Sequence, residues 1–502
     1  MTVLSPQSKK ESIRREPSLL RPATSAPQIA ILGVPFDNIT TAEAVALIEQ
    51  MVASGRPHYL ATANVDFLVQ AQEDVELRRI LMDAHLVLCD GTPLLWASRL
   101  LDNPLPERVA GSDLVPLLLR IAAEKQYKVF FLGGTPESTS RAVEKLKKQH
   151  PTLQIVGHYS PPFSPLIEMD HEEIHRRIES ARPDLLFVSF GCPKQEKWIS
   201  MHYRSLGVPV SVGVGATIDF IAGTARRAPR WMQKSGLEWV FRLLQEPRRL
   251  FKRYAKDMFC FSRAIVRQWW ELRHSSNTPV SNRVTTARTA QTWQRVKLPK
   301  RLDIDTVRRD TLACEEALSN SRCCLLELNN IEFIDSTGMG LLIRLQKKSR
   351  ITGRHLILVA PSKPVLSALR LMRLEDFFRI ARDINEGFKM IETFSDKNAL
   401  IRPNYFPSKP ALSWTGEVTA ANVDEVWELT SSHLKCATEH SEVKVDLSEL
   451  SFIDSAGLGL MIRTQKKATE LGLKVRFIGT HPNVRNVLRI AKLEKRLLGE
   501  EA

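Results

Sequence analysis

Four polar side chains follow apolar segments of strand length, and their types suit chemistry on hydroxyl and phosphate groups. Thr62 and Asn64 end the run YLATANV, Asp90 ends LVLCDG, and Gln195 follows DLLFVSFGCPK. Asp90 could accept a proton from an attacking hydroxyl, and burial beside Gly91 would raise its pKa toward a useful range. Structural alternatives stay open, namely a turn or helix cap at Asp90 and a strand-end hydrogen bond at the other three.

A second group of residues could bind phosphate. The run KVFFLGG stops on Gly133 and Gly134, and Thr135 and Pro136 follow. A glycine pair before Thr-Pro, placed between a strand and a helix, would present backbone amides at a helix N-terminus, where an anion is favoured. Lys194, directly before Gln195, adds a candidate cation.

The elements that must position these residues read as parallel strands and helices. From residue 29 to about 224, apolar runs alternate with amphipathic ones, which predicts βαβ units around a mainly parallel sheet. Open sheets of this kind bind ligands at the carboxyl ends of their strands, although an ordinary βα loop is the alternative for residues 184–198. Helices are predicted over five segments: Thr41–Ala53, Val75–Asp83, Ser112–Glu124, Glu137–His150 and His171–Ala181.

Two other kinds of site are disfavoured. Gly213-Val214-Gly215 follows an apolar strand, but Ile218 stands where the third glycine of a dinucleotide-binding turn belongs, which argues against an oxidoreductase. The Asp-x-Asp triplet that often binds a metal and a diphosphate occurs only at 303–305, beyond the predicted sheet. We therefore expect neither a cofactor nor a metal site.

Five short motifs occur in a fixed order: TAN (62–64), CDG (89–91), ERVAGSD (107–113), FLGG (131–134) and GCPKQE (191–196). Together they resemble the WecG/TagA/CpsF glycosyltransferase family over about residues 28–256. The resemblance implies a Rossmann-like enzyme that moves an N-acetylmannosamine-type or related hexosyl unit, with inversion, from a nucleotide-diphosphate sugar to a polyprenyl-diphosphate-linked sugar. It places Asp90 at the position proposed for the catalytic base, the other three polar residues at active-site positions, and Arg108 among candidate substrate ligands.

Residues 226–274 are basic and aromatic. Between positions 226 and 273, thirteen Lys and Arg stand against four acids, a net charge of 13 − 4 = +9 out of +15 for the chain. Such a composition is typical of an amphipathic helix on anionic lipid, with a solvated face or nucleic-acid binding as alternatives. The lipid-linked acceptors of the family favour the membrane, so no nucleic-acid partner is expected. Four arginines could contact both lipid and substrate diphosphate: Arg226, Arg227, Arg230 and Arg242.

The C-terminal half contains a repeat. Residues 333–348 and 452–467 agree at twelve of sixteen positions and lie 119 residues apart, which indicates a tandem duplication of a βαβ domain. Both copies resemble STAS domains, in which the serine after the aspartate is the phosphorylation site; Ser336 and Ser455 hold that place. A serine kinase or an anti-sigma-like protein is then a possible partner. Alternatively, the Asp-Ser-x-Gly turn only caps the following helix.

The sequence thus predicts an α/β chain in six parts: a leader (1–27), a transferase domain (28–225), the basic appendage (226–274), a linker (275–292) and two STAS domains (293–395 and 410–502). Apolar residues make up 43% and charged residues 25%, no run resembles a membrane span or signal peptide, and the seven scattered cysteines read as reduced thiols. We expect a cytoplasmic protein, peripheral on the inner membrane face, that makes exopolysaccharide or wall polymer. The alternative is a signalling scaffold with an inactive transferase fold.

Overall fold

The computed structural model describes residues 27–234, 237–273, 285–289, 293–395, 401–406, 409–436 and 442–499. The expected leader lies outside the described residues up to position 26, and so do positions 275–284 and 290–292 of the expected linker. Below, the N-terminal region means residues 27–273, the first repeat residues 285–395 and the second repeat residues 401–499. None of the described helices is long and apolar enough to cross a membrane.

The N-terminal region is built on a six-stranded parallel sheet in the order β4-β3-β8-β7-β5-β6, beside a small β1-β2 hairpin. The predicted parallel sheet is therefore confirmed. Because all six strands run the same way, their carboxyl ends meet at one edge. The strands are β1 (Ile29–Ile31), β2 (Val34–Phe36), β3 (His58–Ala63), β4 (Leu86–Cys89), β5 (Lys128–Gly133), β6 (Gln154–Tyr159), β7 (Leu185–Ser189) and β8 (Val210–Gly213).

Twelve helices are described in this region, and the five predicted ones begin within one residue of their expected positions. They are α1 (Thr41–Ser54), α2 (Val65–Glu73), α3 (Val75–Asp83), α4 (Thr92–Leu100), α5 (Gly111–Lys125), α6 (Pro136–Gln149), α7 (His171–Ala181), α8 (Lys194–Leu206), α9 (Thr217–Ala222), α10 (Arg230–Lys234), α11 (Glu238–Gln245) and α12 (Pro247–Arg273), with a 3-10 turn at Leu166–Glu168. The strand expected over 59–65 ends at Ala63 instead, because the Asn64 side chain caps α2 by accepting from Phe67 N at 3.3 Å.

Apolar side chains cover both faces of the sheet. Phe131 and Phe187, from adjacent strands, are fully buried and stack with ring centroids 5.6 Å apart. Helix α12 contributes Phe261 and Ile265 to the same core as the β1-β2 hairpin, and Gln268 Nε2 donates to the Ala30 carbonyl at 3.0 Å. The basic appendage is thus a packed part of the N-terminal region as well as a surface.

Each repeat forms a small α/β domain. The first has strand order β15-β14-β12-β10-β9 with a β11-β13 pair, and the second β16-β17-β19-β21 with a β18-β20 pair. Strand β9 lies within the segment expected to be linker. The elements of the first repeat are β9 (Thr285–Thr289), β10 (Trp293–Lys297), β11 (Arg301–Leu302), α13 (Ile304–Ser319), β12 (Cys323–Glu327), β13 (Phe333–Ile334), α14 (Ser336–Ile351), β14 (His355–Val359), α15 (Lys363–Leu371), a 3-10 turn (Glu375–Phe377), β15 (Arg379–Ala381) and α16 (Ile384–Ser395). Those of the second are β16 (Ile401–Phe406), β17 (Lys409–Trp414), β18 (Gly416–Val418), α17 (Val423–Cys436), β19 (Glu442–Asp446), β20 (Leu450–Ile453), α18 (Ser455–Glu470), β21 (Lys474–Ile478), α19 (Pro482–Ile490) and α20 (Glu494–Leu498).

Both repeats pack on the N-terminal region. Helix α14 runs so close to the hairpin that a Cβ atom at Gly340 would collide with the Gln28 carbonyl. One guanidinium joins all three parts: Arg79 of α3 pairs with Asp83 at 2.9 Å and with Glu417 of the second repeat at 2.8 Å. The same guanidinium lies 5.4 Å from the ring centroid of Phe377 in the first repeat. Arg350 of the first repeat lies 3.7 Å from each of the same two carboxylates, so two guanidiniums share Asp83 and Glu417 at this junction.

Candidate active site

Asp90 lies at the carboxyl end of the sheet, directly after β4, in the wall of a cavity of about 190 Å³. Its Oδ2 accepts weakly from Gly111 N at 3.4 Å. Burial raises the pKa of Asp90 to about 6, while the nearby positive charges of Arg108 and Arg242 act in the opposite direction. A carboxylate with that pKa is half protonated near pH 6 and is a competent base at neutral pH.

Thr62 and Asn64 lie near Asp90, Gln195 lies after β7 in the same sheet, and all three have structural partners. Asn64 lines the same cavity while it caps α2. Thr62 is buried next to the start of α5, where a Cβ atom at Gly111 would meet its Oγ1 at 3.1 Å. Gln195 is also buried, and its Oε1 accepts from Gly191 N at 3.1 Å and from Gly215 N at 3.2 Å. Gln195 therefore joins the loops that follow β7 and β8.

Arginines surround the Asp90 cavity, and one carboxylate holds them together. Glu238 Oε2 accepts from Arg108 Nη1 at 3.1 Å, while its Oε1 lies 3.3 Å from Arg242 Nη2 and 3.6 Å from Arg227 Nε. These cations keep the pKa of Glu238 below its usual value despite the opposing effect of burial. Asp113 shares two of these guanidiniums, at 2.8 Å from Arg108 and 2.5 Å from Arg227, so an anionic substrate group would compete with two carboxylates for the three cations.

The four appendage arginines named from the sequence differ in position. Arg242 lines the Asp90 cavity, and Arg227 reaches its rim by donating to the carbonyl of Ser112, a lining residue, at 3.2 Å. Arg226 is exposed and does not line this cavity. The side chain of Arg230 lies outside the described residues. Arg108 and Arg242 are therefore the cations that act on Asp90, and Arg227 adjoins them through Glu238.

The glycine turn lines a separate cavity of about 660 Å³, here called the glycine cavity. Gly133 and Gly134 have φ values of +94° and +73°, a conformation that favours glycine, and Thr135 caps α6 by accepting from Ser138 N at 3.1 Å. Lys194 enters this cavity and donates to the Ser164 carbonyl at 2.6 Å. The predicted phosphate ligands and Lys194 thus converge, at the ends of β5 to β8.

Comparison with known proteins places this geometry in a family. Residues 29–275 match the model of the glycosyl transferase WecG/TagA/CpsF family. An N-acetylglucosaminyldiphosphoundecaprenol N-acetyl-beta-D-mannosaminyltransferase of Staphylococcus aureus strain MW2 is 30% identical over 243 residues, which cover 48% of this chain and 94% of the relative. The protein of the same name from strain MRSA252 is 31% identical over the same shares. This chain belongs to the WecG/TagA/CpsF family.

Two further segments of this family member match STAS models. Residues 286–387 match the STAS model and residues 406–499 the MlaB STAS model, so both predicted copies are confirmed. A solved structure of the anti-sigma factor antagonist SpoIIAA in its unphosphorylated form is 17% identical and covers 22% of this chain and 96% of that one, with a TM-score of 0.20.

Both STAS serines face the N-terminal region of this WecG/TagA/CpsF chain. Ser336 is fully buried and its Oγ accepts from Gln268 Nε2 at 3.1 Å, while Ser455 is 4% exposed. The preceding aspartates are helix caps, since Asp335 accepts from Gly338 N at 2.8 Å and Asp454 from Gly457 N at 3.0 Å. The capping interpretation therefore holds. Phosphorylation stays a prediction, and it would require each buried hydroxyl first to become exposed.

Sequence reasoning missed the residues that close the Asp90 cavity. Glu238 and Trp239 of α11 and Arg253, Tyr254 and Asp257 of α12 all line it. The sequence indicated these residues only through the composition of the segment. Glu238 and Asp257 were counted there as two of the four acids that reduce its net positive charge. Among the described residues, no group of three or more His, Cys, Asp or Glu side chains could hold a metal ion. The expectation of a metal-free reaction stays a prediction.

Proposed function

We propose that this chain transfers an N-acetylmannosamine-type or related hexosyl unit from a nucleotide-diphosphate sugar to a polyprenyl-diphosphate-linked sugar. The observation that carries the proposal is the position of Asp90, a carboxylate with a pKa of about 6 in one cavity with Arg108 and Arg242. A base and a cluster of cations are the two groups that displacement of a diphosphate requires. The activity named for the two relatives supports this assignment.

In the proposed reaction, Asp90 accepts the proton of the acceptor hydroxyl. The oxygen of that hydroxyl attacks the anomeric carbon of the donor. The bond between that carbon and the diphosphate oxygen breaks, and the nucleoside diphosphate leaves with the bonding electrons. Arg108, Arg227 and Arg242 stabilise the charge on the leaving group, while Asn64 and Thr62 shape the sugar site. Attack opposite the leaving group inverts the anomeric centre.

The glycine cavity is the proposed site for the nucleotide end of the donor. Gly133, Gly134 and Thr135 bring the N-terminus of α6 to it, and Lys194 contributes a positive charge. Gln195 stands at the first turn of α8 and fixes the loop behind Lys194. Gln195, which the sequence predicted as an active-site residue, would in this proposal position the donor through that loop.

The acceptor enters, in this proposal, from an anionic membrane surface. Helices α10 to α12 expose large apolar side chains among their basic residues, with exposed fractions of 65% for Trp231, 73% for Leu244, 63% for Phe251, 69% for Phe259 and 57% for Trp270. Exposed aromatic residues and net positive charge together favour interfacial binding. We place the protein on the cytoplasmic face of the membrane, where it would act in exopolysaccharide or cell-wall polymer synthesis under control of its STAS domains.

A donor panel tests the proposal. The purified full chain would be incubated with detergent-dispersed polyprenyl-diphosphate-linked N-acetylglucosamine and one nucleotide sugar at a time, and the lipid product would be measured by mass spectrometry. We expect one N-acetylmannosamine-type donor to extend the lipid by a single sugar. If no donor is transferred or hydrolysed, while the chain still binds a STAS partner, the scaffold alternative is favoured.

A further inference from the structure

The serine turn of the second repeat contacts the N-terminal region through a buried carboxylate. The backbone N–H of Ser455 donates to Glu76 Oε1 of α3 at 2.5 Å, and Glu76 is only 2% exposed. The other oxygen of Glu76 lies 2.8 Å from Lys197 Nζ. Lys197 also pairs with Asp74 Oδ2 at 2.7 Å. A continuous polar chain therefore runs from the second repeat to α8.

Within the N-terminal region, two members of this polar network, Lys197 and Asp74, adjoin elements of the candidate active site. Lys197 is in the first turn of α8, two residues beyond Gln195, which joins the loops after β7 and β8. Asp74 caps the N-terminus of α3 and directly follows α2, the helix that Asn64 caps at its other end. Lys197 therefore joins two elements that carry residues of the site, namely the start of α8 and the end of α2.

Charge balance explains why the second repeat matters to this arrangement. Asp74 and Glu76 share the ammonium of Lys197, and Arg78 is a second cation near Asp74. Burial and Glu76 raise the pKa of Asp454, the N-cap of α18, to about 7, so Glu76 faces this further carboxyl group and carries the surplus negative charge of the group. The N-terminus of the 16-residue helix α18, with the Ser455 N–H at its first position, points at that surplus. A backbone donor and a helix N-terminus both stabilise a carboxylate. Without them, Glu76 would repel Asp74 more strongly and would lose the contact that fixes its side chain in position against Lys197.

We propose that Glu76 is a positioning residue, through which the docked second repeat holds Lys197 and thereby the Gly191–Gln195 loop in its active arrangement. The effect on transfer rests on the proposed function, whereas the effect on the loop does not. The serine turn of the second repeat thus has the N-terminal region of the same chain as its partner. Separation of the second repeat from that region would loosen the site.

A pair of substitutions at one position tests the link. Ser455→Pro removes the N–H that Glu76 accepts, and proline is tolerated at the first position of a helix, after a residue as extended as Asp454 (φ −104°, ψ −176°). Ser455→Ala keeps the N–H and is the matched control. Hydrogen exchange of peptides spanning 188–206 would be measured by mass spectrometry on the full chain, together with kcat and the donor KM.

We expect Ser455→Pro to speed exchange in 191–197 and to lower kcat about fivefold or more, with little change in donor KM, while Ser455→Ala behaves as wild type. Glu76→Gln provides a second variant in case the proline disrupts the second repeat, and it should loosen the same peptides. Wild-type exchange and kcat in Glu76→Gln would overturn the proposal. If hydrogen exchange responds to the substitutions but neither wild type nor any variant transfers sugar, the link from Ser455 through Glu76 to Lys197 stands and the proposed function fails.

Discussion

Arg108 and Glu238 form an ion pair within the wall of the Asp90 cavity, with Arg108 Nη1 3.1 Å from Glu238 Oε2. Glu238 comes from the appendage and Arg108 from the loop before α5, so the pair closes the appendage onto the sheet. The same carboxylate contacts Arg227 and Arg242. Glu238 therefore occupies the position among the cations that a substrate diphosphate would need to approach.

Glu238→Gln should tighten binding of nucleoside diphosphate about threefold or more, because the substitution removes a negative charge that competes for three guanidiniums. Isothermal titration calorimetry at low salt would measure the dissociation constant. Glu246→Gln is the matched control, since it makes the same charge change in an exposed residue next to α11. Unchanged or weaker binding in Glu238→Gln would mean that the carboxylate only organises the arginines.

Transfer should survive an excess of EDTA. In the proposed reaction the arginines supply the positive charge that a divalent ion would otherwise bring to the leaving diphosphate. Initial rates would be compared before and after chelation, with Mg²⁺ added back as a control. A rate that collapses with EDTA and recovers with Mg²⁺ would contradict the arginine account.

Much of this arrangement could be predicted from local sequence. Continuous apolar runs of strand length indicated β4, β5 and β7, and the parallel direction of such strands predicts that Asp90, Gly133 and Gln195 lie at one edge. The prediction did not divide that edge into two cavities. It extended β3 two residues too far, because an apolar run alone does not reveal that Asn64 caps the next helix.

Long-range packing accounts for what the sequence could not predict. Helix α12 follows the sheet by more than thirty residues, and nothing local indicates that Tyr254 and Asp257 turn toward Asp90. Likewise, the Asp-Ser-x-Gly pattern is equally compatible with an exposed turn and with Ser336 buried against Gln268. Tertiary contacts between distant segments decide such cases.

Membrane binding should depend on the exposed aromatic residues of α12. The triple substitution Phe251→Ser, Phe259→Ser and Trp270→Ser should reduce flotation with anionic vesicles about tenfold or more, since it removes the apolar part of the interface and keeps the charge. Added salt should weaken wild-type binding. The matched control is Leu312→Ser with Leu429→Ser, two exposed apolar side chains on helices of the repeats. Equal losses in both variants would argue against a specific lipid face.

The pH profile of transfer should report Asp90. Burial raises its pKa to about 6 while Arg108 and Arg242 lower it, so kcat/KM should fall as the pH drops through about 6 and the base becomes protonated. Arg242→Leu removes one of the lowering charges and should move that midpoint to higher pH, whereas Arg242→Lys should restore it in part. A midpoint that stays the same in all three proteins would assign the titration to another group.

We expect Asp90 to take the acceptor proton, and single-turnover transfer by Asp90→Asn would measure this step. Asparagine keeps the size of the side chain and removes the base. At saturating donor and acceptor, we predict that the variant transfers sugar about 10²-fold or more slowly than wild type, while its affinity for the nucleotide sugar changes little. Transfer by Asp90→Asn at the wild-type rate would contradict the account.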